Sequence, residues 1–189
     1  MGLAAKHTQI LAHAELFSPI AIKVFDISKV AVDRLINSLP GFSIRNCAIQ
    51  EAAASDIVCT LTPSRNPIIK KEWIIAGTHV NAVGADATGK EELDSSILKD
   101  AIVIVDDLKQ ASAGGEINVP IQKGIYTIRE VYGTLAELVT GKKKGRTDSK
   151  VITLFDSTGI AIEDIAVAKL LFEKAQQMGG YPSIDLIGT

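Results

Sequence analysis

Residues 77–93 read GTHVNAVGADATGKEEL, and this stretch decides how the rest of the chain is interpreted. A short β-type run, 78–83, breaks at Gly84 into a loop that carries one carboxylate, Asp86. In an open α/β sheet, ligands bind in the crevice at the carboxyl ends of the strands. We therefore predict that Asp86 lies at the rim of a binding site. An Asp between glycines is also a common turn residue, so a purely structural role stays open.

Short apolar runs alternate with helical patterns on both sides of this stretch. The strand-like runs are 20–25, 43–49, 57–62, 78–83, 101–105 and 151–155, and the helical patterns are 8–17, 28–40, 50–55, 128–139 and 160–178. Apolar runs separated by helices indicate parallel strands covered on both faces. The expected fold class is therefore α/β, a Rossmann-like doubly wound and mostly parallel sheet. We expect 110–124 to be irregular, and 128–139 to be one helix with Gly141 as its C-cap.

Composition excludes several classes of function. The chain has 189 residues and a net charge of −2, which gives no electrostatic footprint for nucleic acid. No stretch reaches the length of a membrane span, and the first residues do not form a secretory leader. Cys47 and Cys59 have no CxxC spacing and indicate a reducing compartment, and the three histidines are too scattered to suggest a metal site. The expected location is cytoplasmic.

Asp26 is the candidate for cofactor recognition. It follows the run 20–25 and lies 24 positions after Gly2 (26 minus 2), near the interval of about twenty in dinucleotide-binding units. A carboxylate there accepts hydrogen bonds from the adenosine ribose and repels a 2′-phosphate, which favours NAD over NADP. A surface Asp that caps a helix explains the residue equally well.

The glycine signature of such a unit is incomplete, because only Gly2 precedes the first helix and no strand-like run stands before it. We therefore expect a sheet that lacks its usual first strand and has unpaired edges. Another chain supplying that strand, an altered strand order, and a truncated product are the three explanations that the residues leave open.

Several motifs recur in a familiar order. They are Val58–Arg65 (VCTLTPSR), Asn81–Lys90 (NAVGADATGK), Val105–Leu108 (VDDL), Gly114–Ile117 (GGEI) and Phe155–Gly159 (FDSTG). In this order the sequence resembles the ornithine cyclodeaminase and mu-crystallin family, and above all its archaeal alanine dehydrogenase branch. The resemblance runs from about Gly2 to the end of the chain.

The resemblance implies an NAD(H)-dependent oxidoreductase, usually dimeric, that acts on small amino acids or their imines. It places Asp86 beside the substrate and the nicotinamide, with a role in proton transfer or in stabilising an iminium. The implied cofactor-binding residues are Gly2, Asp26, Thr60, Thr62, Ser64, Asn81, Val83, Ser157, Thr158 and Gly159. It also implies an NAD-binding domain over 1–159, truncated at its first strand, and a C-terminal helix and tail over 160–189.

The departures from the family limit what the resemblance implies. Family members carry an N-terminal substrate and dimerisation segment, with a lysine and an arginine that hold the substrate carboxylate, and nothing in this sequence corresponds to it. Loss of one catalytic electrostatic contact often costs about a hundredfold in rate. We therefore do not expect full activity from this chain alone.

Three functions remain open at this stage. The first is an alanine dehydrogenase-like oxidoreductase, and the second is an ornithine cyclodeaminase, which borrows and returns the hydride. The third is a truncated non-catalytic fragment or half of a split enzyme. The expected partners are a small amino acid or imine, and either a second copy in a homodimer or an N-terminal segment that completes the fold, with no nucleic acid or membrane.

Overall fold

The computed structural model describes residues 3–18, 21–182 and 184, with side chains from residue 6 onward. The strands are β1 (Ile22–Val24), β2 (Ile44–Asn46), β3 (Ile57–Thr60), β4 (His79–Ala82), β5 (Ala101–Val105), β6 (Gly133–Thr134) and β7 (Ile152–Asp156). The α-helices are α1 (Leu3–Leu16), α2 (Lys29–Ser38), α3 (Ile49–Ala53), α4 (Ser96–Asp100), α5 (Leu108–Gly114), α6 (Asn118–Gln122), α7 (Leu135–Val139) and α8 (Ala161–Met178). The chain separates into two compact units, residues 1–158 and 159–189.

The first unit is built on parallel strands. Five of them form a sheet in the order β3-β4-β7-β5-β6, and β1 pairs with β2 in a separate two-stranded sheet. In the register of the larger sheet, Ala82 and Val105 both lie beside Asp156, so three strands end at the same level. The α/β class with a parallel sheet is confirmed, and it gives the sheet a common carboxyl edge.

Four strands of the described residues, β1, β2, β3 and β6, pair on one side only, and two of these edges concern the expected first strand. Within the described residues, β1 pairs only with β2, and β3 pairs only with β4. The unpaired edges expected from the sequence are therefore present at β1 and β3. Helix α1 contacts residues of both sheets, because Lys6 forms an ion pair with Asp26 after β1 and Gln9 accepts a hydrogen bond from the Cys59 thiol on β3.

The core lies on one face of the large sheet. Alternate strand residues point to it, among them Val80, Val103 and Leu154, and helix α4 covers them with Ile97 and Leu98, which are all 2% exposed or less. The expectation that both faces are covered holds only in part. The opposite face carries half-buried side chains, and several of them, such as His79 and Asn81, are polar.

The segment 110–124 is not irregular, as the sequence suggested, but carries most of α5 and all of α6. Asp107 caps α5, since its carboxylate accepts a hydrogen bond from the Gln110 amide at 2.8 Å. Pro120 lies in the first turn of α6, where a missing amide hydrogen costs no helical hydrogen bond. The predicted breakers therefore mark helix ends.

The prediction of one helix over 128–139 is also wrong. A 3-10 turn, Ile128–Glu130, precedes the two-residue strand β6, and only then does α7 begin. Thr134 and Glu137 form a capping box at its start, which fixes the boundary inside the predicted helix. Gly141 has a φ of 74°, which is the left-handed conformation expected after a helix end.

The second unit consists of α8 and the residues that follow it. The helix has 18 residues and ends before Gly179, which has a φ of 65°. Its apolar side chains are exposed, for example Ile162 at 68% and Phe172 at 61%. Within the described chain, no helix combines the length and the apolar character that crossing a bilayer demands.

Candidate functional site

An open crevice of about 350 Å³ lies at the carboxyl edge of the large sheet. The loop after β4 forms one wall, α5 forms another, and the residue pair after β7 closes it. The lining residues are Asp86, Ala87, Thr88, Gln110, Ala113, Gly114 and Thr158. The structure thus brings two of the residues singled out from sequence, Asp86 and Thr158, to one cavity.

The loop that carries Asp86 is held in place on both sides. The hydroxyl of Thr88 donates a hydrogen bond to the Ala113 carbonyl at 2.7 Å, and the Gly89 amide donates to Asn118 Oδ1 at 3.0 Å. Gly89 has a φ of 79°, a conformation that side chains other than glycine rarely adopt. The Asp86 carboxylate is half-exposed and forms an ion pair with Lys90. The loop therefore presents at the crevice a carboxylate that is paired with an ammonium group.

Three buried acids, Glu92, Glu116 and Asp156, are linked to one another through backbone amides. We call them the carboxylate ladder. Asp156 accepts hydrogen bonds from the amides of Glu116 (2.9 Å) and Ile117 (3.2 Å). Glu116 accepts from the amides of Glu92 (3.0 Å) and Leu93 (2.7 Å). Each carboxylate thus holds the backbone of the segment that carries the next one.

The last step of the ladder reaches the loops at the site. Glu92 Oε1 accepts a hydrogen bond from the Thr62 amide at 2.6 Å, and Glu92 Oε2 accepts from the Gly84 amide at 3.0 Å. Thr62 follows β3, and Gly84 follows β4. One carboxylate therefore joins the two loops that the sequence associated with cofactor and substrate.

Burial raises the pKa of two members of the ladder, Asp156 and Glu116. Desolvation raises the pKa of Asp156 to about 7, although the amides of Glu116 and Ile117 act in the opposite direction. Desolvation also raises the pKa of Glu116 well above its ordinary value, and the charge of Asp156 adds to that effect. None of the three ladder residues was among the site residues predicted from sequence. The sequence feature that could have indicated them is an acidic residue inside an otherwise apolar or glycine-rich motif, such as Glu116 in GGEI.

The residues after β7 are fixed to the neighbouring strands. The Ser157 amide donates to the Ala82 carbonyl at 2.9 Å. The Thr158 amide and hydroxyl donate to the buried carboxylate of Asp106, at 2.6 and 2.9 Å. Ser157 and Thr158 therefore lie where β4, β5 and β7 end, and Gly159 begins the second unit, with a φ of 77°.

Asp26 lies apart from this crevice, at the end of β1. Its carboxylate pairs with Lys6 near the start of α1 and accepts a hydrogen bond from the Ser28 amide at 2.9 Å. Burial alone would raise the pKa of Asp26, but these hydrogen bonds and the Lys6 charge lower it. An acid at a strand end beside the first turns of a helix is the arrangement that binds ribose and diphosphate in dinucleotide sites. Gly2 lies outside the described residues.

The remaining candidates divide between the β3 loop and the sheet. The Ser64 amide donates to Thr62 Oγ1 at 3.3 Å, so these two hydroxyl side chains form one turn. Thr60 points into the core, and within the described chain its buried hydroxyl has no hydrogen-bond partner. The Val83 amide donates to the Thr60 carbonyl at 3.1 Å.

Asn81 is not brought to the crevice. Its amide group donates to His13 Nε2 at 3.4 Å, and its carbonyl oxygen accepts from His79 Nε2 at 3.1 Å, on the half-buried face of the sheet. Burial lowers the pKa of His79, consistent with a neutral ring that accepts from the Thr153 hydroxyl. Nearby on this face, a second cavity of about 270 Å³ is lined mainly by apolar side chains of β5, β7 and α7.

The described residues contain no cluster of side chains that suits a metal ion. In the part of the chain that the structure describes, no three His, Cys, Asp or Glu side chains are grouped so that they could hold a metal ion. Cys47 and Cys59 are both unpaired.

Comparison with known proteins gives consistent matches. A family model described as the ornithine cyclodeaminase/mu-crystallin family matches residues 1–179. An alanine dehydrogenase of Archaeoglobus fulgidus is 44% identical over 169 residues, which are 88% of this chain and 52% of that protein. The chain spans about half the length of the curated relatives it matches.

Two solved structures share the fold closely. An archaeal alanine dehydrogenase dimer with bound NAD is 41% identical with a TM-score of 0.89, and the match covers 96% of this chain and 57% of that one. The Δ1-pyrroline-2-carboxylate reductase of Thermococcus litoralis, in complex with NADH and L-proline, is 33% identical with a TM-score of 0.87, covering 95% and 57%.

Proposed function

The chain belongs to the ornithine cyclodeaminase/mu-crystallin family, and from this premise we propose that it binds NAD and contributes the cofactor-binding part of an oxidoreductase for a small amino acid or its imine. The reaction we favour is that of an alanine dehydrogenase. The observation that carries the proposal is the crevice at the carboxyl edge of the sheet, which Asp86 and Thr158 both line.

The residues at β1 fit the adenosine end of NAD. Asp26 stands at the strand end beside the early turns of α1, and its lowered pKa keeps it ionised, so it can accept hydrogen bonds from ribose hydroxyls. Lys6, its present partner, is a cation close to where a helix N-terminus would receive a diphosphate. Thr62 and Ser64 offer hydroxyls on the neighbouring loop.

The residues at the crevice fit the chemical end of the reaction. When bound, NAD supplies the acceptor for the hydride that leaves the substrate α-carbon. In the net reaction, alanine, NAD⁺ and water give pyruvate, ammonium, NADH and a proton. The half-exposed Asp86 carboxylate can take the proton from the amine or from the attacking water, and its charge stabilises an adjacent iminium. Lys90 holds Asp86 at the rim.

The assembly and the location of the protein belong to the proposal as well. We propose a homodimer, supported by the dimeric archaeal alanine dehydrogenase that shares the fold. The cytoplasm, with its reducing conditions, is the compartment that two unpaired cysteines favour.

Titration with NADH, followed by its fluorescence, tests the cofactor assignment. We expect saturable binding that Asp26→Ala weakens at least tenfold, because the ribose hydroxyls lose their acceptor. Asp33→Ala is the matched control, since Asp33 is an exposed carboxylate on α2. Absence of NADH binding in the parent protein, or equal losses in both variants, would contradict the assignment.

Assays with alanine plus NAD, and with ornithine plus NAD, test the reaction. Net NADH formation with alanine that Asp86→Asn abolishes supports the dehydrogenase. Proline and ammonia from ornithine without net NADH formation would support the cyclodeaminase instead. NADH binding without either reaction would support a fragment that needs a further segment.

A further inference from the structure

Glu92 occupies an unusual place between the two loops of the proposed site. It is fully buried at 0% exposure, and both of its carboxylate oxygens accept backbone amide hydrogens, from Thr62 and from Gly84. Thr62 begins the turn with Ser64, and Gly84 lies two residues before Asp86. This buried side chain therefore links the two loops, in addition to the hydrogen bonds from the Val83 amide to the Thr60 carbonyl and from Arg65 to the Thr88 carbonyl.

The chemistry of the contact requires a carboxylate. An ionised carboxylate is an acceptor at both oxygens, whereas a glutamine side chain has one acceptor and one donor group. The two amide donors point at different oxygens of the Glu92 side chain. Both are satisfied when that side chain is an ionised carboxylate, which accepts at each oxygen. An amide hydrogen left unpaired inside the protein loses its hydrogen bond without gaining one from water.

The ladder makes this contact rigid. Glu116 fixes the backbone of Glu92 and Leu93, and Asp156 at the end of β7 fixes the backbone of Glu116 and Ile117. The position of Glu92 is thereby tied to the middle strand of the large sheet. Buried polar networks that are fully satisfied hold one conformation in this way.

We propose that Glu92 is a positioning residue that locks the β3 loop and the β4 loop to each other, so that the cofactor side and the Asp86 side of the site move as one unit. Its effect on catalysis rests on the proposed function, whereas its effect on the two loops does not. Glu92 itself does not contact the crevice, since it is not among the residues that line it.

The adjacent Glu91 provides a matched control. It is also buried, at 2% exposure, but its oxygens bind the Ser95 hydroxyl at 2.8 Å and the Lys123 ammonium at 3.0 Å. Neither partner belongs to the two loops. Glu91→Gln therefore removes a buried charge next to Glu92 without releasing Thr62 or Gly84.

Amide hydrogen exchange in the unliganded protein tests the lock directly. In the parent protein we expect the protection factors of the Thr62 and Gly84 amides, which are their exchange rates relative to the unfolded peptide, to lie within about threefold of each other, because one carboxylate protects both. In Glu92→Gln, at least one of them exchanges tenfold faster or more, and in Glu91→Gln both stay unchanged. Unequal protection in the parent protein overturns the proposal even if Glu92→Gln fails to fold.

Kinetics then separate positioning from simple loss of folded protein. With active protein, Glu92→Gln lowers kcat at least tenfold and changes the Kd for NADH less than threefold, because each loop is intact but their spacing is not. Glu91→Gln keeps kcat within twofold. Equal losses of kcat and of bound NADH in Glu92→Gln overturn the proposal. A parent protein that neither binds NADH nor turns over refutes the proposed function, and the exchange data alone then decide the role of Glu92.

Discussion

At the scale of single residues, the acids of this chain fall into two groups with opposite electrostatics. Asp86 is half-exposed and paired with a lysine, so it is available to a ligand. Asp156 and Glu116 are buried among backbone amides, and no salt bridge links either to a cation within the described residues. Amide donors stabilise a carboxylate, but the cost of removing it from water exceeds that gain and raises the pKa.

The raised pKa of Asp156 predicts a pH dependence of stability. Its ordinary value is 3.8 and its value in the folded protein is about 7, so between these values the folded state keeps a proton that the unfolded chain has released. The free energy of unfolding therefore falls as the pH rises through this window, with a limiting slope of about 1.4 kcal/mol per pH unit. The contribution is fully present below pH 3.8 and lost above about 7.

Asp156→Asn removes this contribution and the part of the Glu116 pKa shift that the Asp156 charge causes. Acids with lowered pKa values, such as Asp26 and Asp94, act in the opposite direction and remain in both proteins. We expect urea unfolding at several pH values between 4 and 7 to give a flatter profile for the variant. The variant also loses one amide hydrogen bond, which lowers its stability by a constant amount. Parallel profiles for the two proteins would contradict the assignment.

Gly84 has a steric requirement of its own. A Cβ atom at this position would overlap the Glu92 carboxylate and the Thr62 carbonyl oxygen. We expect Gly84→Ala to lower the free energy of unfolding by about 1–3 kcal/mol, the usual cost of overpacking. Gly41→Ala is the control, because a Cβ there has nothing within 4 Å, and its stability should not fall. If urea unfolding showed the same loss of unfolding free energy for Gly84→Ala and Gly41→Ala, the loops around Gly84 would have to move apart at no cost.

At the scale of elements, the sequence predicts the strands better than the short helices. The apolar run 101–105 coincides with β5, and 57–62 contains β3, because β-branched residues in a buried parallel strand leave a continuous signal. The helical pattern 28–40 contains α2, and Ser28 caps it, since its hydroxyl accepts a hydrogen bond from the Ala31 amide at 3.3 Å. The carboxyl edge, and with it the place of Asp86, follows from these strands.

Short elements escape prediction because tertiary contacts define them. Strand β6 has two residues and exists only by pairing with Ile104 and Val105. The ladder escapes for a similar reason, since Glu92, Glu116 and Asp156 lie 24 and 40 residues apart (116 minus 92, 156 minus 116) and meet only in the folded chain. Periodicity does not report such contacts.

Helix α5 forms a wall of the crevice, and its start depends on one cap. Asp107→Ala removes the acceptor for the Gln110 amide, and we expect a loss of about 1 kcal/mol in the free energy of unfolding. Asp107→Asn should lose much less, because asparagine is an equally good N-cap. Urea unfolding of the two variants beside the parent protein measures the difference, and matching losses would show that the charge of Asp107 matters and its cap does not.

At the scale of the whole molecule, the described residues include strand edges without a partner strand and a helix whose apolar side chains are exposed. Strands β1 and β3 each have a free edge within the described residues, and α8 exposes apolar side chains on all sides. Free strand edges pair readily with other polypeptide, and a group of exposed apolar side chains is typical of an interaction surface. The chain also spans about half the length of the curated relatives it matches.

The free edge of β3 predicts an alternating pattern of amide exchange. In a parallel pair, successive residues bond to opposite sides, and the His79 and Val83 amides bond to the carbonyls of Asp56 and Thr60. The Thr60 amide therefore points to β4, and the Cys59 amide points to the free edge. We expect Cys59 to exchange at least tenfold faster than Thr60.

Strand β7 is the internal control for this pattern, because it pairs with β4 on one side and β5 on the other. Its neighbouring amides, Leu154 and Phe155, should exchange at similar rates, since both are bonded within the sheet. Exchange measured by NMR over hours distinguishes the two strands. A Cys59 amide protected as strongly as Phe155 would mean that the edge of β3 is paired in solution, and the measurement repeated across protein concentrations would then show whether a second copy of this chain provides the strand.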